Sequence, residues 1–108
     1  PYVHIDDCID GIIFGVQNAN EKINLFNLAV PSISSVKGIA RMVLKEMRHE
    51  QTIERYTGGD RGWPGDIPTV RLSTEKLGRL GWKAKYTSDE AVAKAIHSLI
   101  EESNLSVR

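Results

Sequence analysis

Apolar residues recur at every third or fourth position in four segments of the chain, a spacing that places them on one face of an α-helix. The first set follows Asp6 and Asp7, and either carboxylate could cap a helix by accepting backbone N–H bonds. The second set follows Ser34 or Ser35, which are equally suitable starts. The apolar positions of these two predicted helices are Ile9, Ile12, Ile13 and Val16, then Val36, Ile39, Ala40, Val43, Leu44 and Met47.

Two further helices are predicted in the second half of the chain. A short one begins at Ser73 or Thr74 and ends at Gly81, because glycine readily takes the left-handed conformation that ends a helix. The last helix has the clearest start, since Thr87 and Glu90 match a capping box. Their apolar positions are Leu77 and Leu80, then Val92, Ala95, Ile96, Leu99 and Ile100.

Three short segments are typical of β-strands. Residues 1–5 alternate weakly, residues 23–30 form an apolar run between turn formers, and residues 52–57 are the third candidate. Strands separated by helices indicate an α/β fold with parallel pairing. The sequence therefore predicts one domain over residues 1–108, with three short strands and four helices, at the edge of a larger sheet.

Composition and charge narrow the functional classes. Lys+Arg and Asp+Glu balance at 14 each, so net charge gives no general reason to bind nucleic acid. No apolar run approaches the roughly 20 residues that span a bilayer. The single cysteine, Cys8, cannot form an internal disulfide, which fits a reducing cytoplasm. A cytoplasmic protein without nucleic-acid or membrane partners is expected.

The segment GGDRGWPGD, residues 58–66, is the strongest candidate for a ligand site. Glycine allows close approach of the backbone to a ligand, and proline restricts the chain beforehand. The guanidinium of Arg61 suits a phosphate, the carboxylate of Asp66 suits sugar hydroxyls, and Trp63 could stack on a ring. The alternatives stay open: Arg61 could pair with Asp60 or Asp66, Asp66 could bond its own turn, and Trp63 could pack over the loop.

Other candidate residues lie near the N-terminus. Tyr2 and His4 fall on one face of the first predicted strand, and either could contact a ligand. The carboxylates of Asp6, Asp7 and Asp10 could suggest a metal, but helix capping accounts for them and no other ligands lie at metal spacing. No metal site is therefore expected.

The motifs of several enzyme classes do not occur in the sequence. There is no GxGxxG or P-loop, no GxSxG, and no tyrosine followed four residues later by lysine. No catalytic or cofactor-binding residue is therefore assigned to this chain.

Three segments together resemble the NAD-dependent nucleotide-sugar epimerases and dehydratases, which are extended short-chain dehydrogenase/reductases. PYVHIDDCIDGI and FNLAV are similar to two segments of that family, and residues 61–82 are similar to its R-x-G-D segment followed by a helix ending in LGW. UDP-glucose 4-epimerases are the nearest group. The family's arginine, three residues before the aspartate, is replaced here by Trp63, and Arg61 lies two residues earlier.

The resemblance implies that this chain is the C-terminal substrate-binding portion of such an enzyme. The Rossmann domain that binds NAD, and the catalytic Tyr-x-x-x-Lys, would lie upstream. Tyr2 matches an aromatic residue beside a phosphate-binding position, Arg61 the phosphate arginine, and Asp66 the aspartate near the nucleoside, with Trp63 between them.

The partners implied are a nucleotide-sugar substrate, the Rossmann domain of the same parent chain and a second copy in a homodimer. The chain alone is expected to be inactive. The alternatives are a nucleotide-sugar dehydratase or reductase of the same family, or a free-standing interaction module without enzymatic activity.

Overall fold

A computed structural model describes residues 1–106 of the chain, with side chains as far as residue 104. It contains the four helices α1 (Ile5–Gln17), α2 (Val36–Glu46), α3 (Glu75–Arg79) and α4 (Ser88–Ser106). Helix α2 packs against α4. The molecule measures 54 × 39 × 20 Å, with a radius of gyration of 17.3 Å, against about 13 Å for a compact domain of this length. Much of the chain is therefore open to solvent.

The predicted α/β fold is wrong, because residues 1–106 form four helices and no β-strand. The three segments expected as strands, 1–5, 23–30 and 52–57, lie outside any sheet, and Ile5 already belongs to α1. A strand is defined by hydrogen bonds to a neighbouring strand, and none of these segments pairs with another. The sequence pattern of these segments indicates residues that suit an extended backbone, but it does not identify a neighbouring strand with which they could pair.

Helix starts were predicted with mixed success. Ser35 caps α2, with its hydroxyl accepting from Gly38 N at 3.0 Å. Helix α1 is capped by His4 rather than by an aspartate, since His4 Nδ1 accepts from Asp6 N at 3.2 Å. Asp7 is buried and has partners elsewhere in the chain. The capping predictions were thus right for α2 and wrong for α1.

The sequence predictions agree better with the structure in the second half of the chain. The capping box of α4 is confirmed: Thr87 N donates to Glu90 Oε2 at 2.7 Å, and Glu90 N donates to Thr87 Oγ1 at 3.3 Å. Gly81 follows α3 with φ +106°, as expected for a glycine that ends a helix. Thr74 precedes α3 without a side-chain cap. Local signals therefore located both helices.

The core is small and lies where α1, α3 and the start of α4 meet. Its buried apolar residues are Ala29, Val30, Leu77, Trp82 and Ala91. Helix α1 contributes Gly11 and Gly15 rather than its isoleucines. A Cβ on Gly11 would lie 2.4 Å from Leu28 Cδ1, so only glycine permits this approach. The apolar face of α1 consequently points away from the core and is exposed, at Ile5, Ile9, Ile12, Ile13 and Val16.

No helix within residues 1–106 combines the length and apolar character needed to cross a membrane.

A histidine links the two packed helices. His97 Nδ1 lies 2.6 Å from Glu46 Oε1 of α2, and its Nε2 lies 3.2 Å from Glu101 Oε1 of α4. Two carboxylates can both accept from the ring only when both nitrogens carry protons. The hydrogen bond to Glu46 and the negative charges of Glu101 and Glu46 therefore raise the pKa of His97 above its ordinary value of 6.5.

This linkage predicts a pH-dependent stability. Because the folded pKa is raised, the stabilisation by His97 is complete below pH 6.5 and is lost as the pH rises through the folded value. We expect the wild type to melt at a higher temperature than His97→Gln at about pH 5.5, with the difference decreasing as the pH rises through the raised pKa of His97. Thermal melts over a series of pH values measure this. A melting difference that did not change with pH would contradict the assignment.

Candidate functional site

An open cavity of about 770 Å³ lies between the N-terminus, the start of α2 and the glycine loop (residues 58–66). It is lined by Pro1, Tyr2, Ile33, Ser34, Val36 and residues 56–63 and 66–70. All four residues predicted to bind substrate, Tyr2, Arg61, Trp63 and Asp66, line this one cavity. Tyr2 lies some sixty residues from the loop in sequence, so the fold brings together positions that spacing alone could not connect.

The guanidinium of Arg61 is exposed and unpaired. Among residues 1–106 it forms no ion pair and no side-chain hydrogen bond. The alternative pairing with Asp60 or Asp66 does not occur in this part of the chain. A cavity wall thus carries a cation with all five N–H donors available for an anion.

Asp66 has a structural task within the loop. Its Oδ2 accepts from Gly62 N at 2.9 Å, and its own N donates to Trp63 O at 3.0 Å. Gly65, between them, has φ +92°, which explains the glycine at this position. A side chain on Gly62 would start 3.1 Å from Asp66 Oδ2, a close contact that the carboxylate would have to relieve by a small shift. The alternative of an aspartate bonding its own turn is therefore present, and its second carboxylate oxygen is available to a ligand.

Three aromatic side chains line the same cavity as Arg61. Tyr2 and Tyr56 are each 50% exposed and Trp63 is 66% exposed, and all three line the cavity. Exposed aromatic rings around a cavity offer stacking surfaces for a flat base or for the apolar face of a sugar. Sequence analysis missed Tyr56, because nothing in its neighbourhood marked it as a ligand residue.

Tyr56 is held by charged neighbours. Its hydroxyl donates to Glu54 Oε2, and this hydrogen bond raises the pKa of the Tyr56 phenol. Arg41 Nε lies 3.8 Å from Glu54 Oε1, and Lys37 Nζ lies 5.4 Å from the centre of the Tyr56 ring. The phenol consequently remains protonated and fixed at the edge of the cavity.

The wall formed by Tyr2 and Ser34 is tied to α4 through a buried serine. Ser88 is fully buried, and its Oγ accepts from Tyr2 N at 3.0 Å and lies 2.7 Å from Ser34 Oγ. Its backbone N donates to Ser32 Oγ at 2.8 Å. This serine joins three segments that are distant in sequence, which is why local sequence signals did not identify it.

Asp7 and Asp10 join α1 to the segment before α4. The buried carboxylate of Asp7 accepts from Lys85 N and Tyr86 N, both at 3.0 Å. Asp10 Oδ2 accepts from Trp82 Nε1 at 3.1 Å, and Trp82 is buried. His4, the other N-terminal candidate, packs edge-on against Tyr86, with ring centres 5.1 Å apart. These residues do not line the cavity; they connect α1 to the segment before α4.

Comparison with known proteins gives one relevant likeness. No profile of a known protein family matches the chain. The chain is 28% identical over 101 residues to a dihydroflavonol 4-reductase from Callistephus chinensis. The alignment covers 94% of this chain and 26% of that protein, so the chain spans about a quarter of the relative's length. The likeness supports the short-chain dehydrogenase/reductase superfamily; it does not support UDP-glucose 4-epimerase over its other members.

Proposed function

We propose that this chain is the nucleotide-sugar-binding portion of an NAD-dependent epimerase of the UDP-glucose 4-epimerase type. The observation that carries the proposal is the guanidinium of Arg61, which has no ion-pair partner among residues 1–106, on the wall of a cavity lined by exposed aromatic rings. A nucleoside diphosphate offers the matching chemistry, since its phosphates accept from a guanidinium and its base can stack.

In this proposal the chain binds and orients while the reaction takes place elsewhere in the enzyme. Arg61 holds the diphosphate, Trp63 or Tyr2 contacts a flat part of the ligand, and the second oxygen of Asp66 accepts from a hydroxyl. Binding energy from these remote contacts positions the reacting sugar carbon. The chain has no GxGxxG segment, so its residues do not fit a dinucleotide cofactor, and NAD would be held by another part of the protein.

The exposed apolar face of α1 supports the proposed partners. Five apolar side chains there, with Ile23 and Leu25 nearby in sequence, are exposed to solvent. Contiguous apolar surface of this kind marks an interface. We assign it to the cofactor-binding Rossmann domain of the same protein, with a second copy of the chain as the other candidate. A cytoplasmic location without nucleic-acid or membrane partners is part of the same proposal.

Titration of the full-length protein with UDP tests the proposal. We expect saturable binding, and weaker binding of uridine, which lacks the phosphates that Arg61 would contact. In protein labelled with 5-fluorotryptophan, UDP should shift the ¹⁹F resonance of Trp63, assigned through Trp63→Phe, and should leave that of buried Trp82 in place. Equal affinity for UDP and uridine would refute the phosphate site, and no response of Trp63 would exclude this side chain from the ligand contacts.

A reductase of the same superfamily is the second candidate, and the likeness to dihydroflavonol 4-reductase favours it. Such an enzyme would place an aromatic carbonyl compound against Tyr2, Tyr56 and Trp63. Oxidation of a reduced nicotinamide cofactor by the full-length protein, with an aromatic ketone as substrate and without UDP binding, would select this reading.

A dehydratase would instead release water from a nucleotide-sugar. An interaction module would bind UDP no better than uridine and turn over nothing.

A further inference from the structure

We propose that Ser88 is a positioning residue for the ligand cavity: its buried hydroxyl holds Tyr2 and Ser34 in the wall that faces the glycine loop. This inference rests on the proposed function, because it concerns how the nucleotide site keeps its shape. Ser88 itself does not line the cavity. It acts through two residues that do.

The hydrogen bonds of Ser88 are directed to the cavity wall and not to its own helix. Its Oγ accepts from the backbone N of Tyr2 at 3.0 Å and shares a 2.7 Å hydrogen bond with Ser34 Oγ, in which either hydroxyl can donate. Both partners line the cavity. A hydroxyl has one donor and two acceptor sites, so this single group satisfies both segments at once.

The surroundings of Ser88 make these bonds consequential. Its exposure is 0%, so water cannot readily replace a lost hydroxyl. Tyr2 lies in the segment before α1 and Ser34 in the connection before α2, and neither residue belongs to a helix. Their positions therefore depend on contacts such as the hydrogen bonds to Ser88. The capping box of Thr87 and Glu90 fixes the start of α4, where Ser88 lies. The hydrogen bonds of Ser88 therefore hold Tyr2 and Ser34 at a fixed position relative to α4.

Ser32 provides a matched control within the same cluster. Its hydroxyl accepts from the backbone N of Ser88 at 2.8 Å, so Ser32→Ala also removes a hydrogen bond to this residue. Ser32 does not line the ligand cavity, and its loss leaves Tyr2 and Ser34 attached to Ser88. A purely structural role of the cluster predicts similar effects for both substitutions, whereas a positioning role predicts a difference in ligand affinity.

The test measures UDP affinity by calorimetry for full-length wild type, Ser88→Ala and Ser32→Ala, well below their melting temperatures. We expect Ser88→Ala to weaken UDP binding roughly 5- to 10-fold. Ser32→Ala, and Ser98→Ala on the exposed side of α4, should change it less than about twofold. Ser88→Thr and Ser88→Val, which have equal volume and differ in the hydroxyl, separate the hydrogen bonds from packing: Thr should bind UDP more tightly than Val.

The possible outcomes are distinct. If the wild type does not bind UDP, the proposed function fails, and the positioning role fails with it. If the wild type binds UDP and Ser88→Ala matches Ser32→Ala, only the positioning role is overturned. If neither Thr nor Val can be folded at position 88, Ser34→Ala decides, because it removes one of the two wall contacts and should weaken UDP binding by about half as much on a logarithmic scale; an unchanged affinity would overturn the positioning role.

Discussion

Replacing Arg61 with alanine is expected to weaken UDP binding by about 10- to 150-fold, which corresponds to about 1.5–3 kcal/mol for hydrogen bonds to a charged group. The side chain lines the cavity and forms no ion pair within residues 1–106, so its donors need not leave another partner to reach a phosphate. The same substitution should leave the affinity for uridine unchanged. Calorimetric titration of the full-length protein with both ligands measures the difference.

Arg55 provides the control for charge. It is exposed, lies close to Arg61 in sequence and does not line the cavity. Arg55→Ala therefore removes the same charge without removing a proposed phosphate contact. Arg61→Lys should bind UDP with intermediate affinity, because an ammonium keeps the charge and loses the planar pair of donors. Equal losses for Arg61→Ala and Arg55→Ala would show that only general electrostatics is involved and that the guanidinium makes no specific contact.

The fold should tolerate Arg61→Ala, because the exposed side chain has no intramolecular partner to lose among the described residues. An unchanged melting temperature is therefore expected alongside the affinity loss. This separation matters for the whole proposal, since a loss of binding accompanied by unfolding would say nothing about the phosphate.

Local sequence signals predicted those parts of the fold that local interactions determine. The capping box at Thr87 and Glu90, the cap at Ser35 and the stop at Gly81 each involve residues within a few positions of one another. Burial of Leu77 also followed from its place in the apolar pattern of α3. The four helices were accordingly placed close to their observed positions.

The strands were wrong because a strand depends on a partner that the pattern does not identify. Residues 23–30 are apolar enough for a buried strand, yet Ile23 and Leu25 are exposed at 74% and 77%. The periodicity of α1 was likewise read correctly as helical, but the face that packs carries Gly11 and Gly15. Glycine gives no apolar signal, although it is what allows Leu28 to approach.

Within the candidate site, sequence reasoning identified the loop residues and missed their supports. Arg61, Trp63 and Asp66 were recognisable because they share one short segment with unusual backbone residues. The supporting roles of Asp7 and Ser88 were not recognised, because their hydrogen-bond partners are distant in sequence. The partners of Asp7 lie 78 or more positions away, and those of the Ser88 hydroxyl lie 54 or more positions away. A carboxylate at the start of a helix has the same local sequence context whether it caps that helix or accepts hydrogen bonds from a distant segment.

Asp7 is expected to give the largest loss of stability of any single substitution considered for this chain. Its buried carboxylate accepts from two successive backbone N–H groups, those of Lys85 and Tyr86. Asp7→Ala leaves both donors without an acceptor, at about 1–3 kcal/mol for each donor that stays buried. Since both sites are partly open to water, a total of about 2–4 kcal/mol is expected.

Asp6 is the matched control, because it precedes Asp7 in the first turn of α1 and its side chain is 71% exposed. Asp6→Ala loses a favourable charge near the helix N-terminus, which contributes about 0.3–1 kcal/mol, and an exposed carboxylate 3.6 Å from His4 Nδ1. Thermal melts give the stabilities of the two variants, and amide hydrogen exchange at Lys85 and Tyr86 gives the local effect. Faster exchange at both amides in Asp7→Ala, with little change in Asp6→Ala, is expected. Equal exchange in the two variants would mean that the carboxylate of Asp7 does not hold this segment, and the connection between α1 and the segment before α4 would then depend on the Asp10–Trp82 hydrogen bond and the packing of His4 against Tyr86.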